Sequence, residues 1–272
     1  MTLRTDRLIA SGRTAQVYAL KGRRVVKVLR PGFPDELGSA EARAAQLVTQ
    51  AGMAAPLFLG TTRIDGRFAL IYERRDGASM LDTLVNRPWS YRRLAIQFAG
   101  VHAETHVSLG LGLPSLRSRL AAAIQRTDVP VAIRDASLRR LDELPDGDSL
   151  LHGDMHPGNV LLTAEGPTVI DWAAAAAGPP AAGVAHTLFL LGGSGLPPDV
   201  PPMRRRAIVF LRRAFVGTYL HAYRGLRSLD IAELRAWRLP ILVARLDDGI
   251  DGETLLLSRL IRQETGGRTA RF

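Results

Sequence analysis

The stretch LLHGDMHPGNVLL at residues 150–162, followed by TVIDW at 168–172, governs the reading of this 272-residue chain. Asp154 lies five residues before Asn159, and Asp171 follows twelve residues later. NVLL and PTVI are short apolar runs joined by the turn-prone TAEG, so the spacing predicts a β-hairpin with Asn159 entering it and Asp171 leaving it. Taken singly, an Asp-Gly or an Asn before a strand is an ordinary turn residue. The joint spacing of three oxygen-bearing side chains asks for a chemical reason.

The charge pattern around this stretch sharpens the question. The chain carries a formal net charge of +10, yet residues 141–203 hold eight acids and no Lys or Arg. An acidic island inside a basic chain is what a cation site needs. Of the 36 basic residues, all but Lys21 and Lys27 are Arg. That preference is a compositional habit rather than a nucleic-acid signal, and no nucleic-acid partner is expected. With 46% hydrophobic and 23% charged residues, the composition is that of a globular protein with a sizeable core. The absence of Cys excludes disulfides, thiolate nucleophiles and cysteine zinc sites. MTLRTDRLIA lacks the apolar region of a secretory leader, and Trp172 to Leu191 is too rich in Ala, Gly and Pro to read as a membrane span. A soluble, cytoplasmic protein without a membrane partner is the expectation.

Working outward, the hydrophobic period changes once. Before about residue 75 the pattern is that of strands: RLIAS at 7–11, Gln16 to Leu20, Arg24 to Leu29, Pro56 to Leu59 and Phe68 to Tyr72, with turns at Gly12, Lys21-Gly22 and Asp65-Gly66. One helix interrupts them, capped by Ser39, striped by Ala44, Ala45, Leu47 and Val48, and ended by Gly52. ERRDGAS at 73–79 is the predicted boundary. Beyond it helices are predicted at Tyr91 to Ser108, Leu116 to Arg126, Ala132 to Leu141, Ala182 to Leu191, Met203 to Arg224, Ile231 to Asp247 and Glu253 to Gln263. Pro240 should kink or split the sixth of these, and PPDVPP at 197–202 reads as a short loop. The expected fold class is α+β: a β-rich first domain over 1–75 with one helix, then a mostly helical domain over 76–272 with a small β insert.

Asp, four intervening residues, Asn, then a hairpin to a second Asp is the arrangement of a kinase catalytic loop joined to its metal-binding Asp. Phosphoryl transfer calls for a carboxylate that orients the acceptor hydroxyl and takes its proton, here Asp154. It also calls for hard oxygen ligands for Mg²⁺, here Asn159 and Asp171. HGDMHPGN with IDW resembles the signature of the aminoglycoside phosphotransferase and choline kinase-like superfamily, with His152, Gly153, Asp154, His156, Asn159 and Asp171 all matching. The resemblance extends over nearly the whole chain. It implies a two-lobed protein-kinase-like fold and transfer of the γ-phosphoryl group of ATP, with Mg²⁺, to a hydroxyl of a small molecule that is aminoglycoside-, aminosugar- or amino-alcohol-like.

That implication requires a phosphate-gripping lysine in the first domain. Lys27 stands inside VVKVL on a predicted strand, where an unpaired ammonium would be costly. Glu41, fourteen residues on, is its expected partner, with Glu36 as the alternative. The segment Ser11, Gly12, Arg13 and Thr14 occupies the place of the nucleotide-covering loop, although it holds a single Gly and reads equally well as a plain hairpin turn. Tyr72, Glu73 and Arg74 fall, by position, where kinases offer backbone hydrogen bonds to adenine.

Other features are read more plainly. His102 and His106 have helical spacing and suit a hydrogen-bonded core or surface. Gly153 and Pro157 argue against His152 and His156 as a helical zinc pair. The Arg204, Arg205, Arg206, Arg212 and Arg213 cluster reads as a solvated helix face, and Asp247, Asp248, Asp251 and Glu253 as caps and turn residues rather than a lure for a cationic aminosugar. Relatives commonly carry an Asp where this chain has Gly183. Together with the glycine-poor loop, that departure motivates the alternative of a catalytically silent nucleotide-binding regulator.

Overall fold

The computed structural model describes residues 7–107, 109–110, 112–193, 201–250 and 252–266. Residues 1–6, Ser108 at the end of the expected helix Tyr91 to Ser108, most of PPDVPP and Asp251 therefore lie outside the described residues. The fold is α+β, and by its contacts the chain separates into two compact units. The first comprises residues 1–83 and 157–175, the second 84–156 and 176–272. The β insert thus packs with the first unit, whereas the sequence pattern placed it in the second.

The first unit is built on a five-stranded antiparallel sheet of order β1-β2-β3-β5-β4, formed by β1 (Leu8–Ser11), β2 (Ala15–Leu20), β3 (Arg24–Leu29), β4 (Phe58–Ile64) and β5 (Arg67–Glu73). Tight turns join β1 to β2, β2 to β3 and β4 to β5, and β5 pairs with β3 after α1 and β4. At Asp65-Gly66 both residues have positive φ (49° and 75°), the conformation a two-residue hairpin demands, and β4 runs on to Ile64 to meet it. Alternation buries Leu20, Val26, Val28, Ile64 and Ala69 in one cluster.

Helix α1 (Asp35–Gln50) begins earlier than the sequence pattern predicts, and Ser39 lies inside it rather than capping it. Pro34, at φ −72° and ψ 149°, sets the entry, and Asp35 and Glu36 place negative charge on the first turn. Its end is as expected: Gly52 adopts the left-handed conformation, with Gly52 N–H donating to Thr49 O and Met53 N–H to Val48 O. A second sheet joins β6 (Ala78–Ser79), β8 (Val160–Thr163) and β9 (Gly166–Val169), so the predicted hairpin forms, and its outer partner β6 was not foreseen.

The second unit contains α3 (Tyr91–Thr105), α4 (Leu116–Arg126), α5 (Val131–Glu143), α6 (Pro180–Gly193), α7 (Pro202–Leu226), α8 (Ile231–Ala236), α9 (Arg238–Arg245) and α10 (Thr254–Glu264). A short helix, α2 (Met80–Asn86), carries the chain from one unit into the other. Helices α8 and α9 replace the single helix of the sequence pattern, and Pro240 sits in the first turn of α9, where its missing N–H costs nothing. The strand pair β7 (Ser149–Leu151) and β10 (Ala176–Gly178) holds the two chain segments that flank the HGD and IDW stretches, with Leu151 opposite Ala176.

Helices α3 and α7 meet through aromatic and polar side chains. Phe98 packs edge-on to Tyr219 with ring centroids 5.3 Å apart. Below it, His102 Nδ1 and Tyr219 Oη are 2.8 Å apart, and His106 Nδ1 and Tyr223 Oη 2.6 Å. Both histidines are buried, as core residues rather than ligands. Burial lowers the His106 pKa to about 3, helped by the field of Arg227, and holds His102 well below the usual histidine range, helped by His106 and His152. Among the described residues no helix is long and apolar enough to cross a membrane.

Gly183 has a direct explanation in this layer. A Cβ on it would lie 2.7 Å from His106 Nε2, so the imidazole occupies the space that a side chain there would need. Gly183→Ala should lower stability by about 1–3 kcal/mol through overpacking, read as a lower urea midpoint with unchanged m-value.

The histidines also set a pH dependence. Groups kept neutral by folding must bind protons on unfolding below pH about 6.5, so they cost stability as pH falls from there towards their folded values. Each contributes a slope of up to about 1.4 kcal/mol per pH unit in that window. Denaturation between pH 7 and 4.5 should therefore show falling stability, and His106→Gln should flatten the fall.

Candidate functional site

The register of the first sheet determines where Lys27 points. Lys27 pairs with Val17 on one side and Leu70 on the other, between the buried Val26 and Val28, so alternation sends its side chain to the face covered by α1. There its Nζ lies 2.8 Å from Glu41 Oε1 and 2.8 Å from Asp171 Oδ1. The side chain of Glu41 is only 3% exposed and that of Asp171 is 45% exposed, so the ammonium bridges a buried carboxylate and an open one. Burial alone would lower the Lys27 pKa; the two carboxylates outweigh it and raise the pKa above its ordinary value. Burial pushes Glu41 up, opposed by Lys27 and by a 3.1 Å hydrogen bond donated by the Tyr72 hydroxyl. Burial and the neighbouring Glu41 raise the Tyr72 phenol as well, which keeps it a donor. Glu36, the alternative partner, makes no such contact with Lys27.

Asp171 is placed by the β8–β9 hairpin. Val160 pairs with Val169, and Ile170 N–H donates to Asn159 O at 2.9 Å, which brings Asn159 and Asp171 to the same end of the ribbon. Asp171 adopts the left-handed conformation (φ 66°, ψ 70°), unusual for a non-glycine residue and characteristic of functional positions. Trp172 anchors the turn by donating from Nε1 to Val169 O. Asn159 is buried and Asp171 open, a pairing of one amide and one carboxylate oxygen donor that suits a hard cation completing its shell with water and phosphate oxygens.

Asp154 belongs to the second unit, five residues of chain from Asn159. Gly153, at φ 76°, turns the backbone in a way a side-chain-bearing residue resists, and the Asp154 amide donates to the buried His152 Nδ1 at 3.2 Å. Leu150, Leu151 and Met155 are buried around it, so the loop is pinned on both sides. The carboxylate itself is 37% exposed, with His156 Nε2 3.6 Å from Oδ2. Burial raises its pKa, but the His156 hydrogen bond and the fields of His156, His152 and His186 prevail, holding it below the usual carboxylate range. It is therefore ionised at neutral pH, the state a proton acceptor needs.

The remaining sequence candidates fare differently. At Ser11 to Thr14 the chain makes a hairpin turn closed by Gly12 N–H donating to Ala15 O at 2.9 Å, so the Gly12 amide is already used. Arg30 holds this turn by donating to Gly12 O at 2.9 Å and to Ser11 Oγ at 2.7 Å, while its amide donates to Thr14 O. At the expected hinge, Glu73 N–H donates to Leu57 O and Arg74 N–H to Arg23 O, and the Tyr72 hydroxyl donates to Glu41. Three residues escaped sequence reading altogether: Arg30, His186 and Arg245. An Arg in a chain with so many carries no signal, and His186 lies in an apolar helix outside any motif.

A strand lysine paired to the next helix, and a catalytic-loop Asn linked by a hairpin to a left-handed Asp, define a protein of the kinase-like fold. Known proteins agree. The chain belongs to the phosphotransferase enzyme family, whose model matches residues 5–237. It is a small-molecule kinase. Among solved structures it is similar to an aminoglycoside-3'-phosphotransferase of type VIII (TM-score 0.63, 18% identity, covering 88% of this chain and 92% of that one). An amicoumacin kinase in complex with AMP-PNP and Ca²⁺ is also similar (TM-score 0.63, 14% identity, 98% and 90%). So is a choline/ethanolamine kinase family protein from Mesorhizobium loti (TM-score 0.57, 15% identity, 97% and 87%). No curated protein matches it in sequence.

The Lys27 cluster gives a ranked test of stability. Glu41→Ala should cost about 3 kcal/mol, because it strips the buried ammonium of its buried partner. Tyr72→Phe should cost about 1 kcal/mol, the worth of one hydrogen bond. Urea denaturation of both variants measures the order.

Proposed function

We propose that the protein transfers the γ-phosphoryl group of ATP to a hydroxyl of a small molecule in a Mg²⁺-dependent reaction, with Asp154 as the general base. The single observation that carries the reading is the Lys27 ammonium 2.8 Å from both Glu41 and Asp171. A buried cation held in place by one carboxylate and shared with a second, open one is poised for phosphate oxygens at the same point. Glu41 fixes the lysine; Lys27 grips the phosphates; Asn159 and Asp171 are the metal's protein ligands. When bound, Mg²⁺ supplies neutralisation of charge on the phosphates. Asp154, ionised and partly open, orients the acceptor hydroxyl and receives its proton. Most of the rate enhancement then comes from positioning and charge compensation, since the chain forms no covalent bond to the substrate.

A catalytically silent regulator has no use for an ionised, exposed Asp154 backed by His152 and His156, and the steric account of Gly183 removes the departure that motivated that reading. A cytoplasmic setting, where ATP and Mg²⁺ are abundant, suits the activity proposed.

Asp154→Asn should lower acceptor-dependent ADP formation by at least about 100-fold. Its affinity for Mg-ADP, measured by calorimetry, should stay within about threefold of the parent, whereas Lys27→Ala should weaken that affinity. Full turnover by Asp154→Asn would overturn the assignment.

A further inference from the structure

Helices α3 and α7 run parallel and in register. Phe98 meets Phe215, His102 meets Tyr219 and His106 meets Tyr223, with the two histidine pairs at the same separation of 117 residues. The two helices therefore begin at one end of the second unit, with the short turn Pro88–Ser90 and the start of α3 level with the start of α7. That end is basic. Between Asp82 and Glu104 the chain carries Arg87, Arg92 and Arg93 and no acid; between Asp199 and Asp230 it carries seven arginines and no acid. Among the described residues none of Arg87, Arg92, Arg93, Arg204, Arg206 and Arg213 is in an ion pair. Asp199 lies outside the described residues, and matching it to one of these arginines would leave the excess in place.

The same end exposes large apolar side chains: Trp89 is 76% exposed, Met203 76% and Phe210 72%. Met203 and Phe210 lie two turns apart on one face of α7, opposite the buried face of Phe215, Tyr219 and Tyr223. Arg206 and Arg213, at the same spacing, run beside them. Guanidinium and apolar tip thus alternate along one outer edge of the helix. The solvated face expected from the sequence accounts for neither feature. Arg205 and Arg212 are half-buried, and Met203 and Phe210 are left in water.

We infer that this end of the second unit docks on an anionic phospholipid surface, with arginines on the headgroup phosphates and Trp89, Met203 and Phe210 entering the boundary of the acyl layer. Guanidiniums interleaved with indole, phenyl and thioether groups match the two chemistries of that layer. A nucleic acid would stack on Trp89 and Phe210 but has no use for Met203. A second copy of the same face would meet like charge. A membrane partner, not expected from the sequence, enters here through a peripheral contact, which needs no spanning helix.

The three tryptophans give the test its signal: Trp172 and Trp237 are buried, so the emission that responds to lipid is that of Trp89. The full chain is cosedimented with vesicles of phosphatidylcholine alone or containing about 30% phosphatidylglycerol, and the anionic vesicles should bind it at least about tenfold more tightly. Raising the ionic strength from about 0.05 to about 0.3 M should weaken that binding at least about fivefold. Tryptophan emission should shift to the blue on the anionic vesicles, and Trp89→Phe should lose the shift. R204Q/R206Q/R213Q should weaken binding at least about tenfold, while R139Q/R140Q/R259Q, which removes the same charge from exposed positions elsewhere, should stay within about threefold. M203S/F210S should weaken binding at least about fivefold with the salt dependence kept. A thermal melt establishes that each variant is folded. Equal binding to both kinds of vesicle, an emission that does not move, or equal losses in the two triple variants overturns the inference. So does a single-stranded DNA oligonucleotide that binds more tightly than the anionic vesicles at the same ionic strength and displaces them.

Discussion

A lysine cannot be left alone inside a β-sheet face. That constraint shapes the first unit: Lys27 lies between Val26 and Val28, both fully buried, and its ammonium must find charge within reach of its own strand. Glu41 comes from α1, so the helix must cover that face of the sheet; Asp171 comes from the far end of the β8–β9 hairpin, so a segment 144 residues away must fold against it. The cost of burying one cation is met by bringing three remote pieces of chain to a single point. Replacing such a buried ion cluster by apolar residues often leaves stability unchanged, so folding alone does not call for it.

The second unit solves a different problem, that of holding a carboxylate open and ionised at a fixed place. Buried Leu150, Leu151 and Met155 anchor the loop, His152 receives the Asp154 amide, and β7 pairs with β10 behind it. Deeper still, the histidines and tyrosines of α3 and α7 satisfy one another in pairs. The acid that the family resemblance leads one to expect at position 183 has no room here because His106 occupies the space, so a departure that looks like loss in sequence has a packing reason in three dimensions.

Much of this was legible in one dimension because the informative residues are local. Asp154, Asn159 and Asp171 sit within one loop and one hairpin, and the rarity of lysine in this chain made Lys27 conspicuous. The strands of the first unit follow from alternation and turn chemistry. What sequence could not show depends on who reaches whom. Whether the Glu73 and Arg74 amides are free or spent is decided by cross-strand neighbours at Leu57 and Arg23. The start of α1 was misjudged because Ser39 is a good cap in isolation, while Pro34 and the acids behind it act first. His186 and Arg245 were invisible for the same reason: their surroundings, Phe189 stacked beside His186 and Glu253 bound to Arg245, exist only in the folded chain.

Arg30 and its 33 fellow arginines leave the chain with just two side-chain primary amines. Lys21 is exposed at a hairpin tip, and Lys27 has a side chain 12% exposed. Amine-directed reagents, ordinarily scattered over a protein's whole surface, have here one exposed side-chain target, Lys21, and one shielded between carboxylates, Lys27. The molecule thus carries its own two-site reporter of the Lys27 cluster, with Lys21 as internal reference and Lys27 as signal.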